Sequence, residues 1–188
     1  MSVFVVDTNV FSRALKNLDM KVFADDIYKS WSNGMINDTI ISVDEVYNEL
    51  DSIWGAKDPK GKIKQQCEWL KQHKSAFKNL TDAEGRIVAE IFKSKKFREG
   101  VKEKSLREGT PEADAILVAK AKCVNGIIVT AESNSKPNSE KIPNICIQFD
   151  VPYISIDGFY QMLKNVSGGK SELENVTVFY ELDTGDEK

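Results

Sequence analysis

Four acidic residues stand where chemistry could use them: Asp7, Glu49, Asp114 and Glu132. Asp7 ends the apolar run Val3-Phe4-Val5-Val6, and Glu132 follows Ile127-Ile128-Val129-Thr130-Ala131. Short apolar runs of this kind read as strands buried on both faces. In an open α/β sheet, ligands bind beyond the C-terminal ends of such strands. Asp114 falls inside the apolar arc of Ala113, Ile116, Leu117, Ala121 and Val124, where a carboxylate is costly unless paired or metal-bound. Glu49 falls at the edge of a helical stripe made by Val43, Val46, Tyr47, Leu50, Ile53 and Trp54. Glu45 falls on the opposite, wet side and belongs to the capping box Ser42-Val43-Asp44-Glu45. Blander readings stand beside these: Asp7 as a helix cap, Asp114 as a first-turn acid favoured by the helix dipole, Glu49 as a solvated boundary residue.

Strands separated by helices fold into a parallel sheet with right-handed crossovers, so acids that end them meet along one rim. Carboxylates gathered in one pocket repel one another. Either they hold protons or a cation neutralises them. Oxygen-only donors suit Mg²⁺ or Mn²⁺. Such ions activate water and stabilise charge on a phosphoryl group. The chemistry expected is metal-assisted hydrolysis of a phosphodiester.

Composition narrows the field from the other side. The formal charge of −3, from 26 basic and 29 acidic residues among 188, gives no global basic field. A nucleic-acid site would need a local patch. One histidine, His73, sits in Lys71-Gln72-His73-Lys74 and reads as a solvated helix end, which disfavours Ser-His or Cys-His nucleophilic systems. Cys67, Cys123 and Cys146 have no C-x-x-C spacing and read as thiols of a reducing compartment. No charged-then-apolar leader precedes the first strand, and no apolar run approaches membrane-spanning length. The expectation is a cytoplasmic protein with no membrane association.

The elements that must position the acids can be read in order. Helices are expected over 11–18, over 22–31 with Asn33-Gly34 closing the second, over 42–54 and over 63–77. Thr39 to Ser42 is a strand candidate. Thr81-Asp82-Ala83-Glu84 is a second capping box, opening a helix that buries Ile87, Val88, Ile91 and Phe92. Lys93 to Arg107 holds seven basic residues against two acids, a solvated face or a phosphate-backbone contact. Thr110-Pro111 opens the helix carrying Asp114, and Lys120 on its apolar arc is expected to snorkel outward. Asn125-Gly126 ends that helix. Ile142 to Phe149 is apolar and fits helix or strand. Tyr153 to Ile156 reads as a strand, with Asp157 capping a helix to Leu163. A boundary at Ser167-Gly168-Gly169 separates a nuclease-like domain, 1–166, from a C-terminal extension, 167–188, in which Val176 to Leu182 could add an edge strand.

The chain resembles the PIN-domain family. Val3 to Phe11 looks like the opening of such a domain. Ser42 to Glu49 is similar to its second acidic motif, Glu112-Ala113-Asp114-Ala115 through Ala121 to the third, and Ile128-Val129-Thr130-Ala131-Glu132 to the fourth. The fourth position carries Glu where Asp is usual, one methylene longer. The segments 93–107 and 133–141 are longer than in minimal members. The resemblance implies an α/β fold with a central, mostly parallel sheet between helices on both faces. It implies a Mg²⁺- or Mn²⁺-dependent endoribonuclease, of the kind that serves as the VapC-like toxin of a type II toxin–antitoxin pair. RNA is then the substrate, an antitoxin protein the partner, and a second copy of the chain a further candidate partner. Asp7 and Asp114 would ligate the metal, Glu132 would complete or orient its shell, and Glu49 would hold a metal-bound water or a second ion. Thr130 would hydrogen-bond Asp7. Two other readings compete. A haloacid-dehalogenase-type phosphatase needs a second Asp two residues after the first, and this chain has Asn9. A non-catalytic PIN-fold module would bind RNA or protein without cutting.

Overall fold

The first apolar run forms β1 (Phe4–Val6), every residue of which is buried. The computed structural model describes residues 3–16, 25–55, 65–94, 97, 113–132 and 141–167. Around β1 lie β2 (Ile40–Val43), β3 (Phe77–Lys78), β4 (Ile127–Thr130) and β5 (Tyr153–Ser155). The five strands make one parallel sheet in the order β3-β2-β1-β4-β5. Phe4 pairs with both Ile40 and Ile127, so the two apolar runs that end in acids lie side by side. The helices are α1 (Thr8–Lys16), α2 (Asp25–Ile36), α3 (Asp44–Trp54), α4 (Gln65–Gln72), α5 (Asp82–Ile91), α6 (Ala113–Val124), α7 (Ile142–Gln148) and α8 (Ile156–Ser167). They cover both faces of the sheet, giving the three-layer α/β architecture with a central parallel sheet that was expected.

The two faces are built differently. Toward α2 and α8 the core is aromatic. Phe4 meets Phe159 at 5.4 Å between ring centroids, and Phe159 meets Trp31 edge-on. Phe11 lies among Trp31, Trp69 and Phe77. Such ring pairs add specific geometry to area burial. Toward α6 the core is aliphatic and small: Ala113, Ala115, Ile116, Leu117, Val118, Ala119 and Ala121 are all buried. Helix α6 packs on β1, β2 and β4, with α5 and α7 against it in turn. A helix buried nearly all round in this way leaves little latitude to the charged residues it carries.

Several expectations are corrected. Helix α2 runs through Asn33-Gly34 to Ile36. A methyl group on Gly34 would lie 2.5 Å from Ile40 Cδ1, so this glycine permits close packing of α2 on β2. The chain turns out of the helix at Asp38, which takes the left-handed conformation (φ 60°). Ser42 belongs to β2, and Val43 is the residue before α3, with no side-chain cap. Of the predicted α3 stripe, Ile53 is 53% exposed. The helix expected over 63–77 is instead α4, a short 3₁₀ turn (Lys74–Ala76) and the two-residue strand β3. His73 is buried, not solvated: its Nδ1 lies 2.8 Å from the Trp69 carbonyl and its ring stacks on Trp69. Residues 142–148 resolve as helix. Ser155, not Asp157, caps α8, its Oγ accepting the Gly158 N–H.

Other expectations hold. The Thr81–Glu84 capping box is present in both directions, although Ile87, Val88 and Phe92 are only half-buried. Asn125 in the left-handed conformation and Gly126 end α6. Cys67 and Cys146 are buried free thiols and Cys123 an exposed one. No helix among the described residues is long and apolar enough to cross a membrane. The basic stretch after Ser94, apart from the buried Phe97, lies outside the described residues. So do Thr110-Pro111 and the strand expected over 176–182.

Candidate functional site

Asp7 sits where β1 stops, beside the end of β4. Its N–H donates to the Val129 carbonyl at 3.0 Å, continuing the β1–β4 ladder by one residue. The residue is only 4% exposed. Thr130 Oγ1 donates to Asp7 Oδ2 at 3.1 Å across 123 residues of sequence, as the motif resemblance implies. The Asn9 backbone N–H also stabilises the Asp7 carboxylate, so the capping role is real but partial.

These hydrogen bonds do not balance the site. Burial, then the charge of Asp114, then that of Glu132 push the Asp7 pKa up to about 7, against the lowering effect of Thr130 and Asn9. Two of the other acids singled out in the sequence thus act on Asp7 through space. Asp114, half-buried in the first turn of α6, also raises the pKa of the buried Cys146 thiol on α7, after the larger effect of burial. Glu132 is half-buried, its N–H donating to Thr130 Oγ1 and its Oε2 accepting the Ile142 N–H, both at 3.1 Å.

Glu49 is placed differently. It is half-buried on α3, and its Oε2 accepts a 2.5 Å hydrogen bond from Thr8 Oγ1. Thr8 follows Asp7 directly, so Glu49 is tied to the site one residue away. Among the described residues, no group of three or more His, Cys, Asp or Glu side chains is arranged to hold a metal ion. The acids are within electrostatic reach of one another without forming a closed ligand cage.

A family model described as "Domain of unknown function (DUF4411)" matches residues 4–167. The chain belongs to the DUF4411 family. The match spans every element from β1 to α8, and so every candidate site residue of this DUF4411 chain. The comparison with curated proteins finds no match. Among solved structures, the chain is similar to one in the crystal structure of VapBC2 from Rickettsia felis bound to a DNA fragment from its promoter. That likeness has 18% identity and a TM-score of 0.43, covering 81% of this chain and 98% of the other.

Two residues of the DUF4411 site were not marked as such in the sequence. Ser42 was assigned to a cap, yet its buried hydroxyl donates to the Val6 carbonyl at 2.6 Å, fixing the peptide that leads into Asp7. Apart from its position, Thr8 carries no sequence signal of a site, and its hydroxyl links α1 to Glu49. The usable signal was position: a small hydroxyl residue at or next to the end of a buried strand. Glu45 is also corrected. It is half-buried, with Oε2 buried and without a hydrogen-bond partner among the described residues, instead of lying on a wet face.

Proposed function

We propose that this protein is a divalent-cation-dependent endoribonuclease with Asp7 at its centre. One observation supports this most directly: Asp7 is buried beside two further acids, and their charges make its own ionisation unfavourable. Such a site is an energetic liability in a purely structural role and suits one that takes up a cation. The donor chemistry fits Mg²⁺ or Mn²⁺, all the candidate ligands being carboxylate oxygens. Asp7 and Asp114 would hold the ion, and Glu132 would complete or orient the shell. When bound, the ion supplies an activated water and stabilises charge on the phosphodiester.

The chain's own groups do the rest. Thr130 holds one Asp7 oxygen so that the other is presented in a fixed direction. Ser42 and the Val129 carbonyl hold the C=O and the N–H of the single Val6–Asp7 peptide that leads into that carboxylate. Thr8 orients Glu49, which would hold a metal-bound water or a second cation. The toxin role, with an antitoxin protein as partner, rests on the order of the motifs alone. Growth arrest on expressing the chain, relieved by a neighbouring gene, is its test.

The enzyme reading is tested by incubating the protein with total cellular RNA and Mg²⁺ or Mn²⁺ and sequencing the new ends. The parent yields cation-dependent ends and Asp7→Asn yields none. Equal cleavage by the variant removes Asp7 from the mechanism. The lack of a closed metal cluster among the described residues favours a second reading, a non-catalytic PIN-fold module. Tight RNA binding with no cleavage under any divalent cation would select it.

A further inference from the structure

We propose that Glu132 is a positioning residue that ties the first amide of α7 to Asp7, and not itself a ligand of the cation. The inference rests on the cation-site reading above. Three hydrogen bonds carry it, and they run head to tail. The Ile142 N–H donates to Glu132 Oε2 at 3.1 Å. The Glu132 N–H donates to Thr130 Oγ1 at 3.1 Å. Thr130 Oγ1 in turn donates to Asp7 Oδ2 at 3.1 Å. The Thr130 hydroxyl thus accepts from one side and donates to the other, which fixes its proton on Asp7.

The start of α7 shows why a long acid is used. Lys141, the residue before the helix, makes no side-chain cap. Its carbonyl already accepts from Asn144 and Ile145, and Pro143 has no N–H to satisfy. The Ile142 amide is therefore the first-turn donor that needs an acceptor from outside the helix. Glu132 supplies it across ten residues of sequence. An aspartate here would be one methylene shorter, about 1.5 Å less reach. That is enough to break a 3.1 Å contact. The glutamate at this position is thereby explained by length, where a ligand role would be explained by charge.

Length and charge separate cleanly by substitution. Glu132→Gln keeps the reach and an amide oxygen to accept from Ile142 but removes the charge. Glu132→Asp keeps the charge and loses the reach. Mn²⁺ affinity is measured calorimetrically on the full chain, with hydrogen exchange at the Ile142 amide in parallel. If Glu132 positions, Gln retains Ile142 protection and binds Mn²⁺ more tightly than Asp does, while Asp loses protection and weakens Mn²⁺ binding about tenfold. The reverse ranking, with Asp near the parent and Gln weakened, overturns the proposal in favour of direct ligation. Unchanged Mn²⁺ affinity in both variants, with protection lost in Asp, overturns it in favour of a helix cap without influence on the site. Failure of the parent itself to bind Mn²⁺ would sink the cation-site reading, and is a distinct result.

Discussion

Two carboxylates are almost equally buried in this protein and have opposite surroundings. Glu84 is 3% exposed at the seam between α5 and α6. Its Oε1 pairs with Lys120 Nζ at 2.8 Å, and its Oε2 accepts the Thr81 N–H at 2.9 Å. Lys120 is as deeply buried and does not snorkel outward; it also donates to the Asn79 carbonyl at 2.9 Å. Every charge there is answered inside the fold. Asp7, 4% exposed, has one hydroxyl and one amide as hydrogen-bond partners among the described residues, and the charges of Asp114 and Glu132 that act on it carry its own sign. The first arrangement closes on itself and serves packing. The second stays electrostatically open, as expected of a site completed by something from solution.

The sharpest way to break this contrast is to remove one partner of the closed pair. Glu84→Ala strands Lys120 in the core and should cost about 3–5 kcal/mol in urea unfolding. Replacing both residues by methionine should recover most of that loss, because an apolar pair of similar volume fills the seam without desolvating charge. A loss below about 1 kcal/mol for Glu84→Ala would mean that the seam is solvated.

At the open site the sign reverses. Asp7→Asn should stabilise the protein at pH 8 with divalent cations removed, by up to a few kcal/mol. The pKa of Asp7 is raised on folding from 3.8 to about 7. The protonated form is therefore the one favoured by the fold. Its contribution is complete below pH 3.8 and is lost as the pH rises through about 7. The cation-free parent should lose stability across that window relative to Asp7→Asn, as seen in melts at stepped pH. Parallel curves for the two proteins would show that Asp7 ionises freely.

The smallest effect is expected at Thr130. Thr130→Val preserves shape and removes the hydroxyl that holds Asp7 Oδ2. Mn²⁺ binding should weaken about tenfold, with little change in the melting temperature of the cation-free protein. A large fall in that temperature would show the hydroxyl to be structural.

How much of this was legible beforehand differs between the strands and the residues around them. β1 and β4 announce themselves, because a strand buried on both faces must be apolar throughout and the acid that ends it breaks the run. The Thr81 box was legible because both halves of its hydrogen bonding are local. Ser42 matched the same box pattern and was misread. A parallel strand pairs through its backbone, so β2 continues to Val43 whatever the local capping preference. Lys120 and His73 were read as polar residues near water, when their partners Glu84 and Trp69 come from packing or from the helix backbone. Glu49 was placed correctly at the stripe edge, but its link to Thr8 depends on how α1 docks against α3. Gly34 resembled a helix terminator, and only the neighbouring Ile40 shows it to be a packing residue.

On this account a divalent cation completes the site at Asp7 and Asp114, where the Asp114 charge opposes the ionisation of Asp7. The direct measurement is the melting temperature at pH 8 as Mn²⁺ is titrated, for the parent and for Asp7→Asn. The parent should rise with Mn²⁺ by the mass-action stabilisation of a ligand bound to the folded state, and the variant should not. Equal shifts in the two proteins, or none in the parent, would contradict the account.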